Sequence, residues 1–195
     1  MCHSLLARAS LYALLLHVDE DLAREARGGG CPVDGGRLHR GDFERKPRGA
    51  LAPLGRLART RFSFCCANRE CRKRVTPPSV RFLGRRVYLG AAVVLLSTMR
   101  HGGTAKRQAR LHELLGVSPR TVQRWRRWWR ETFPQTRCWK ETCGHLRAPV
   151  DAVALPDALL ACLVGDERER LLAVLRVLRP LSTTSWGKAG SSVAR

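Results

Sequence analysis

Apolar positions recur at helical spacing on both sides of one glycine in residues 104–133, TAKRQARLHELLGVSPRTVQRWRRWWRETF. Before Gly116, leucines three and four residues apart predict a first helix, which Thr104 can cap. After the glycine, Ser118 offers an N-cap hydroxyl and Pro119 a first helical residue with a preset φ. Two short helices joined by a tight turn predict a helix-turn-helix.

The second helix, predicted over 119–133, differs in chemistry between its two faces. Val122, Trp125 and Trp129 lie three and four residues apart and are predicted to pack inward. The opposite face carries long hydrogen-bonding side chains, namely Arg120, Gln123, Arg124, Arg127 and Arg130. Such side chains reach phosphates and base edges in a major groove, so the pattern predicts a helix that reads DNA. The alternative interpretation is an ordinary surface hairpin with a solvated basic face.

The remaining pattern predicts a mainly α chain with a small β module. The apolar run 88–99, YLGAAVVLLSTM, predicts a buried helix, the first of a three-helix, homeodomain-like unit. Ser4 and the glycines at 28–30 bound an amphipathic helix. The predicted parts are an N-terminal helix at 1–30, a basic zinc-ribbon-like module at 31–80, a helix-turn-helix DNA-binding domain at 81–134, a C-terminal helical segment at 135–181 and a disordered tail at 182–195.

Charge narrows the choice of partner to a polyanion. The chain has 36 Lys and Arg against 16 Asp and Glu, a net charge of +20, and only five of the cations are lysines. A positive field of this size attracts nucleic acid, and arginine binds phosphate and guanine in two-pronged fashion. The apolar run LYALLLH at 11–17 is too short to cross a bilayer and no cleavage site follows it. We therefore expect no membrane association, no signal peptide and a cytoplasmic protein.

A second basic surface is predicted from residues 56–86, where phenylalanines alternate with cations and Glu70 is the one acid. The cations of this patch are Arg56, Arg59, Arg61, Arg69, Arg72, Lys73, Arg74, Arg81, Arg85 and Arg86. Contacts of this kind hold the phosphate backbone without reading sequence. Double-stranded DNA is therefore the predicted partner. An RNA-binding or ribosome-associated basic zinc-ribbon protein is the alternative, because a basic ribbon with aromatic side chains also suits RNA.

Cysteine spacing indicates one metal site. Cys31-Pro-Val-Asp34-Gly-Gly begins like half of a zinc ribbon, and Cys65-Cys66-Ala-Asn-Arg-Glu-Cys71 supplies the other half. The predicted Zn²⁺ ligands are Cys31, one of the two adjacent cysteines with Cys66 preferred, Cys71, and a fourth group, Asp34 rather than His39. A metal-free module whose cysteines fill apolar space is the alternative.

The segments CPVDGGRLHRGDFERKPRG, RFSFCCANRECRKRVTPPSVRFLGRRVYLGAAVVL and LLGVSPRTVQRWRRWW resemble a family of small bacterial proteins described as transposase-like or mobile-element-associated. The resemblance covers most of residues 15–180. It implies a bacterial, nucleoid-associated cytoplasmic protein with a zinc-ribbon-like module and a helix-turn-helix. In that family the opening motif is C-P-x-C, so Asp34 stands where a second cysteine is expected. A transposase is a further partner that the resemblance allows.

No catalytic activity is predicted. A cut-and-paste transposase needs carboxylates that converge on divalent ions, and the acids of this chain are few and lie mostly on a helix or at helix ends. No serine or cysteine has an evident positioned base. The Leu-rich helix at 166–178 suggests a different role, the pairing of two copies of the chain.

Overall fold

The computed structural model describes residues 5–6, 8–45, 47–49, 55, 59–84, 88–98, 113, 115–146 and 148–183. Across these residues helices dominate and the strands are short and antiparallel, which confirms a mainly α chain with small sheets. Most of the predicted first helix at 104–115 and most of the predicted tail at 182–195 lie outside the described residues.

Helix α1 (Ala9–Gly28) packs one apolar face into the protein and ends at the predicted glycines. Leu11 and Leu15 on that face are fully buried. The predicted start was wrong, because Arg8 adopts an extended backbone that interrupts the helix just before Ala9. The proposed cap, Ser4, lies outside the described residues.

Seven short strands form three antiparallel sheets in the described part of the chain. They are β1 (Leu38–Arg40), β2 (Phe43–Glu44), β3 (Thr60–Arg61), β4 (Phe64–Cys66), β5 (Arg74–Val75), β6 (Phe82–Leu83) and β7 (Tyr88–Leu89). Strand β4 lies between β1 and β5, while β2 pairs with β3 and β6 with β7. Neighbouring residues of a strand point to opposite faces, so Cys65 and Cys66 face different sides of the first sheet.

The helices that follow the sheets are α2 (Gly90–Ser97), α3 (Pro119–Arg127), α4 (Arg137–Cys143), α5 (Asp157–Ala161) and α6 (Glu167–Leu178). A π-helical turn, Trp128–Thr132, extends α3, and 3-10 turns lie at Phe133–Gln135, Ala152–Ala154 and Arg179–Ser182. Among the described residues we find no helix with both the length and the hydrophobicity that crossing a bilayer requires.

Helix α2 is the centre of the larger core, as its apolar sequence predicted. All eight of its residues are buried, and it packs against α3 and α6. Gly90 permits the close approach of α6, because a Cβ at this position would lie 2.8 Å from Leu175 Cδ2. Tyr88 and Leu89, predicted as part of the helix, instead form β7.

Helix α6 uses its apolar face within the chain. Asp166 and Glu169 form a capping box at its first turn, each accepting a backbone N–H at 2.8 Å. The buried residues of this helix are Leu171, Val174, Leu175 and Leu178. Since these side chains lie in the larger core, they provide no surface for pairing two copies of the chain.

A smaller core lies beside the cysteines. It contains Ala23, Cys31, Leu38, Phe62, Phe64 and Cys66. Because Ala23 belongs to α1, the same helix that lines the larger core also covers the smaller one. Helix α1 therefore packs against both hydrophobic cores.

Asp19 on α1 is the centre of a buried polar network. Its carboxylate, 1% exposed, accepts hydrogen bonds from Arg81 Nε at 2.7 Å, the Val80 amide at 2.7 Å and the Ser79 hydroxyl at 2.5 Å. Arg81 Nη2 also donates to the carbonyl of Thr60 at 2.7 Å. This network joins α1 to the segment before β6 and to β3.

Two cations of the predicted 56–86 patch are inside the protein rather than on its surface. Arg61 is 4% exposed and Arg81 is fully buried, so the prediction that they contact phosphates was wrong. Arg81 lies over the rings of Phe62 and Phe82, with 5.3 and 4.9 Å from its Cζ to the ring centroids. Burial lowers the pKa of Arg61 to about 10. Neither phenylalanine ring is available to stack on a base, because both are buried.

The predicted boundary of the C-terminal tail was also wrong by at least one residue. Ser182 is buried, and its hydroxyl accepts a hydrogen bond from the Ser79 amide at 2.9 Å. The fold therefore includes Ser182.

We expect Asp19→Asn to lower the free energy of unfolding by about 3 kcal/mol or more, since it removes the negative charge that faces the buried Arg81 cation. The matched control is Asp21→Asn on the same helix, where an exposed ion pair with Arg24 is worth under about 1 kcal/mol. Urea denaturation followed by tryptophan fluorescence measures both. Equal losses in the two variants would contradict the importance of the network.

Candidate nucleic-acid interface and metal centre

The turn before α3 has the geometry that its sequence predicted. Gly116 has φ +61°, a left-handed conformation that glycine adopts without steric cost. Val117 is 3% exposed and fills the corner beneath the turn. The Ser118 hydroxyl accepts the Thr121 amide at 3.3 Å, and Pro119 opens the helix. The sequence therefore fixes both the turn and the start of α3 through local interactions.

The inner face of α3 is aromatic. Trp125 and Trp129 are both fully buried, as predicted, while Val122 is half-buried against the same core. Trp129 packs edge-on against Phe133, with ring centroids 4.8 Å apart. Trp139 on α4 packs against Phe133 in turn, at 5.3 Å. This cluster anchors α3 to the larger core.

The sequence predicted an α-helix that continues to residue 133, but the α-helix ends at Arg127. From Trp128 the backbone widens into the π turn, where the Phe133 amide bonds to the Trp128 carbonyl five residues back. The wider turn brings Trp128 and Trp129 inward together, although they are adjacent in sequence. Local sequence patterns assume 3.6 residues per turn and therefore miss this change.

The outer face of α3 carries the predicted side chains, and all of them are exposed: Arg120, Gln123, Arg124, Arg127 and Arg130. Arg127 forms only a loose, solvated ion pair with Glu131, at 3.8 Å. Arg124 donates from Nη2 to the hydroxyl of Tyr88 at 3.1 Å. Their charges are thus not neutralised by tight ion pairs in the described part of the chain. Sequence reasoning missed Tyr88, which lies 36 residues away from Arg124.

Three consecutive exposed cations of the basic patch lie at the end of the loop between β4 and β5 and at the start of β5. Arg72, Lys73 and Arg74 are all exposed, as a phosphate-binding surface requires. Arg72 has φ +46°. The other two predicted contacts, Arg85 and Arg86, lie outside the described residues.

The four preferred metal ligands come together. One donor atom from each of Cys31, Asp34, Cys66 and Cys71 lies within 4.8 Å of the others. The sulfurs of Cys31 and Cys71 are 3.6 Å apart, and Cys66 Sγ is 3.4 Å from both carboxylate oxygens of Asp34. A Zn–S distance of about 2.3 Å puts two thiolates of a tetrahedral site about 3.7 Å apart. The spacing therefore suits a metal ion.

Backbone turns hold the ligands from both sides. The turn that carries Cys31 is closed by its carbonyl, which accepts the Gly35 amide at 2.8 Å. Gly30 has φ +72°, and a Cβ there would lie 2.9 Å from the Gly35 carbonyl oxygen, so only glycine fits. On the other side, the Cys71 amide donates to the Asn68 carbonyl at 3.2 Å. The resulting pair of loops brings ligands 40 residues apart into contact.

Asp34 is held by its neighbours. The hydrogen bond from the Cys31 thiol, then that from the Gly36 amide, keep the pKa of the Asp34 carboxyl well below its ordinary value. Asn68 Nδ2 donates to the other carboxylate oxygen at 3.0 Å, a contact that the sequence reading did not anticipate. The sequence did offer a hint of this contact, because Asn68 lies between Cys66 and Cys71 and Asn side chains commonly form hydrogen bonds in turns. The carboxylate is thus ionised and aimed at the sulfurs.

Burial raises the pKa of the Cys66 thiol to about 12, so this thiol is protonated near neutral pH when no metal is bound. A metal ion would have to displace that proton, and its binding would therefore weaken as the pH falls.

The alternative ligands lie elsewhere. Cys65 faces the other side of β4, and its thiol donates to the Arg72 carbonyl at 3.4 Å. His39 lies opposite Cys65 in the sheet register and is not part of the cluster. Of the two candidates in the Cys65-Cys66 pair, the structure therefore selects Cys66.

A short segment connects the sheet region to the helix-turn-helix. The carbonyl of Arg48 accepts the Leu89 amide at 3.1 Å, and the Gly49 amide donates to the Leu115 carbonyl at 3.1 Å. A Cβ on Gly49 would lie 2.7 Å from Ala92 Cβ, so glycine permits this close packing. The segment thus contacts both β7 and the turn before α3.

Residues 103–136 match the model of a family described as a homeodomain-like domain. The matched range includes the turn, α3 and the π turn, which are the elements built above. No curated protein and no solved structure matches the chain. The match supports a helix-turn-helix DNA-binding module in this segment.

Proposed function

We propose that this chain is a transposase-associated DNA-binding protein that reads duplex DNA with helix 119–133. One observation carries the proposal: in the segment that matches a homeodomain-like domain, the tryptophans of α3 and its π turn are buried and their outer-face arginines are exposed. A helix anchored by aromatic side chains can enter a major groove as a rigid body. Its N-terminal residues, Arg120, Gln123 and Arg124, are then the ones nearest to base edges.

The phosphate contacts of this proposal come from the exposed cations of the patch. Arg72, Lys73 and Arg74 are its main members, and Arg59 and Arg69 are also exposed. These side chains add affinity without sequence preference. The buried rings of Phe62 and Phe64 favour duplex DNA over the RNA alternative, since single-stranded RNA is bound largely by stacking on exposed aromatic side chains.

Zinc is the metal we propose for the Cys31 cluster. Three thiolates and one carboxylate whose donor atoms lie within 4.8 Å of one another fit its preference for sulfur ligands and tetrahedral geometry. The ion would cross-link the two loops beside the smaller core, and its role would be structural rather than catalytic.

The resemblance to mobile-element proteins supports a location in the bacterial nucleoid in this proposal, with a transposase as a further partner. In this proposal the chain supplies DNA binding and another protein supplies the chemistry.

For base reading, we expect Arg124→Ala to cost about 1–3 kcal/mol of discrimination at one base pair of a selected duplex. Lys73→Ala should instead weaken binding to all duplexes alike and reduce the log–log salt slope by about 0.9. Arg168→Ala, an exposed arginine on α6, removes the same charge outside both surfaces and is the control. Fluorescence anisotropy on single-substitution duplexes measures all three. Identical behaviour of Arg124→Ala and Arg168→Ala would contradict base reading by Arg124 on α3.

For the metal centre, the purified protein is expected to hold zinc in equimolar amount and to lose it in Cys71→Ser. Asp34→Cys should bind zinc more tightly, because a fourth thiolate replaces a carboxylate. Cys65→Ser is the matched control, since Cys65 adjoins Cys66 but faces away from the cluster. Elemental analysis and Co²⁺ absorption spectra report metal content and thiolate number. Zinc retained unchanged in Cys71→Ser would show that the cluster is not the site.

For catalysis, we expect supercoiled plasmid to remain intact when the purified protein is added with Mg²⁺ or Mn²⁺. Gel electrophoresis separates supercoiled, nicked and linear forms. A nicked product that tracks the protein through purification, and is abolished by a substitution in this chain, would overturn the assignment as a non-enzyme.

A further inference from the structure

Tyr88 lies where the buried core meets the exposed outer face of α3. The residue is 5% exposed, yet its hydroxyl is 3.1 Å from Nη2 of the exposed Arg124. A buried ring therefore presents its polar atom to the guanidinium of a proposed DNA-reading side chain. No other described contact ties an outer-face arginine of α3 to a group of the core.

The position of this hydroxyl is determined from several directions. The Tyr88 ring meets Trp125 edge-on, with centroids 5.1 Å apart and planes at 82°. Its backbone pairs with Leu83 across the β6–β7 ladder and bridges to Arg48 on the other side. Hence neither the ring nor the strand can move without disturbing the core, and the hydroxyl is a fixed point.

A hydrogen bond to one nitrogen of a guanidinium restricts the directions in which its remaining N–H groups can donate. When one N–H of Arg124 Nη2 is held by Tyr88, the guanidinium plane is fixed. The second N–H of Nη2 and the parallel N–H beside it then keep a defined direction. Reading guanine needs two parallel N–H groups aimed at O6 and N7, whereas a phosphate accepts a donor from many directions. A preset orientation therefore improves base recognition more than phosphate binding.

We propose that Tyr88 is a positioning residue that sets base specificity by orienting Arg124 for a two-pronged contact with guanine. The inference rests on the proposed function, because it requires α3 to lie in a major groove. It predicts that the Tyr88 hydroxyl matters for discrimination at one base pair and little for overall affinity.

The test compares Tyr88→Phe with Tyr12→Phe. Tyr12 is fully buried, and its hydroxyl has no hydrogen-bond partner in the described part of the chain, so this change removes a core hydroxyl away from α3. Affinities are measured for a selected duplex and for its single-base-pair variants, together with salt slopes and thermal unfolding. Arg124→Lys identifies the base pair concerned, since lysine keeps the charge and loses the fork.

We expect Tyr88→Phe to reduce discrimination at that base pair by about three- to tenfold, as the loss of one hydrogen bond allows. Salt slope and unfolding temperature should match those of Tyr12→Phe. In an Arg124→Lys background, Tyr88→Phe should have no further effect, which a purely structural role would not produce.

Two different results would contradict the inference, and only the second would also contradict the proposed function. If the wild type discriminates and Arg124→Lys does not, while Tyr88→Phe discriminates fully, then Tyr88 does not position Arg124 and the proposed function stands. If the wild type shows no preference among the duplexes and Arg124→Lys changes nothing, both the inference and the proposed function fail.

Discussion

The buried carboxylate of Asp19 determines how the parts of this protein fit together. A buried charge is tolerated only when it is paired and hydrogen-bonded. Here one short segment donates all of these hydrogen bonds, from Arg81, Val80 and Ser79. Arg81 extends the constraint, because its second donor binds the Thr60 carbonyl at the start of β3. One acid on α1 thus fixes the approach to β6 and the position of a strand in the sheet region.

This arrangement makes the cysteine cluster and α3 parts of one framework. Helix α1 contributes Leu11 to the larger core and Ala23 to the smaller core around Cys31 and Cys66. Among the described residues the smaller core has six buried members, too few to stabilise the two ligand loops by packing alone. The metal ion that we propose for this cluster would supply the missing stability, because two of its ligands, Cys31 and Cys66, belong to that core.

Local patterns in the sequence were enough to predict the turn, its Ser118 cap, the burial of Trp125 and the cluster around Cys66. Each depends on residues a few positions apart or on a known ligand spacing. The patterns failed where the partner is distant. Arg81 looks like any surface cation until it is known to meet Asp19, 62 residues earlier, and composition alone cannot show this. The contact of Arg124 with Tyr88 was missed for the same reason.

The net charge of +20 accounts for attraction to any polyanion, so selectivity must come from geometry. The outer face of α3 shows such a difference among chemically identical groups. Arg124 is tied to a buried ring, Arg127 to a solvated glutamate, and Arg120 has no partner among the described residues. Two hydrogen bonds to a base edge require donors that already point in the right directions, whereas a phosphate accepts hydrogen bonds from many directions. If α3 lies in a major groove as proposed, Arg124, the most constrained of these arginines, is therefore the one best suited to discriminate between bases.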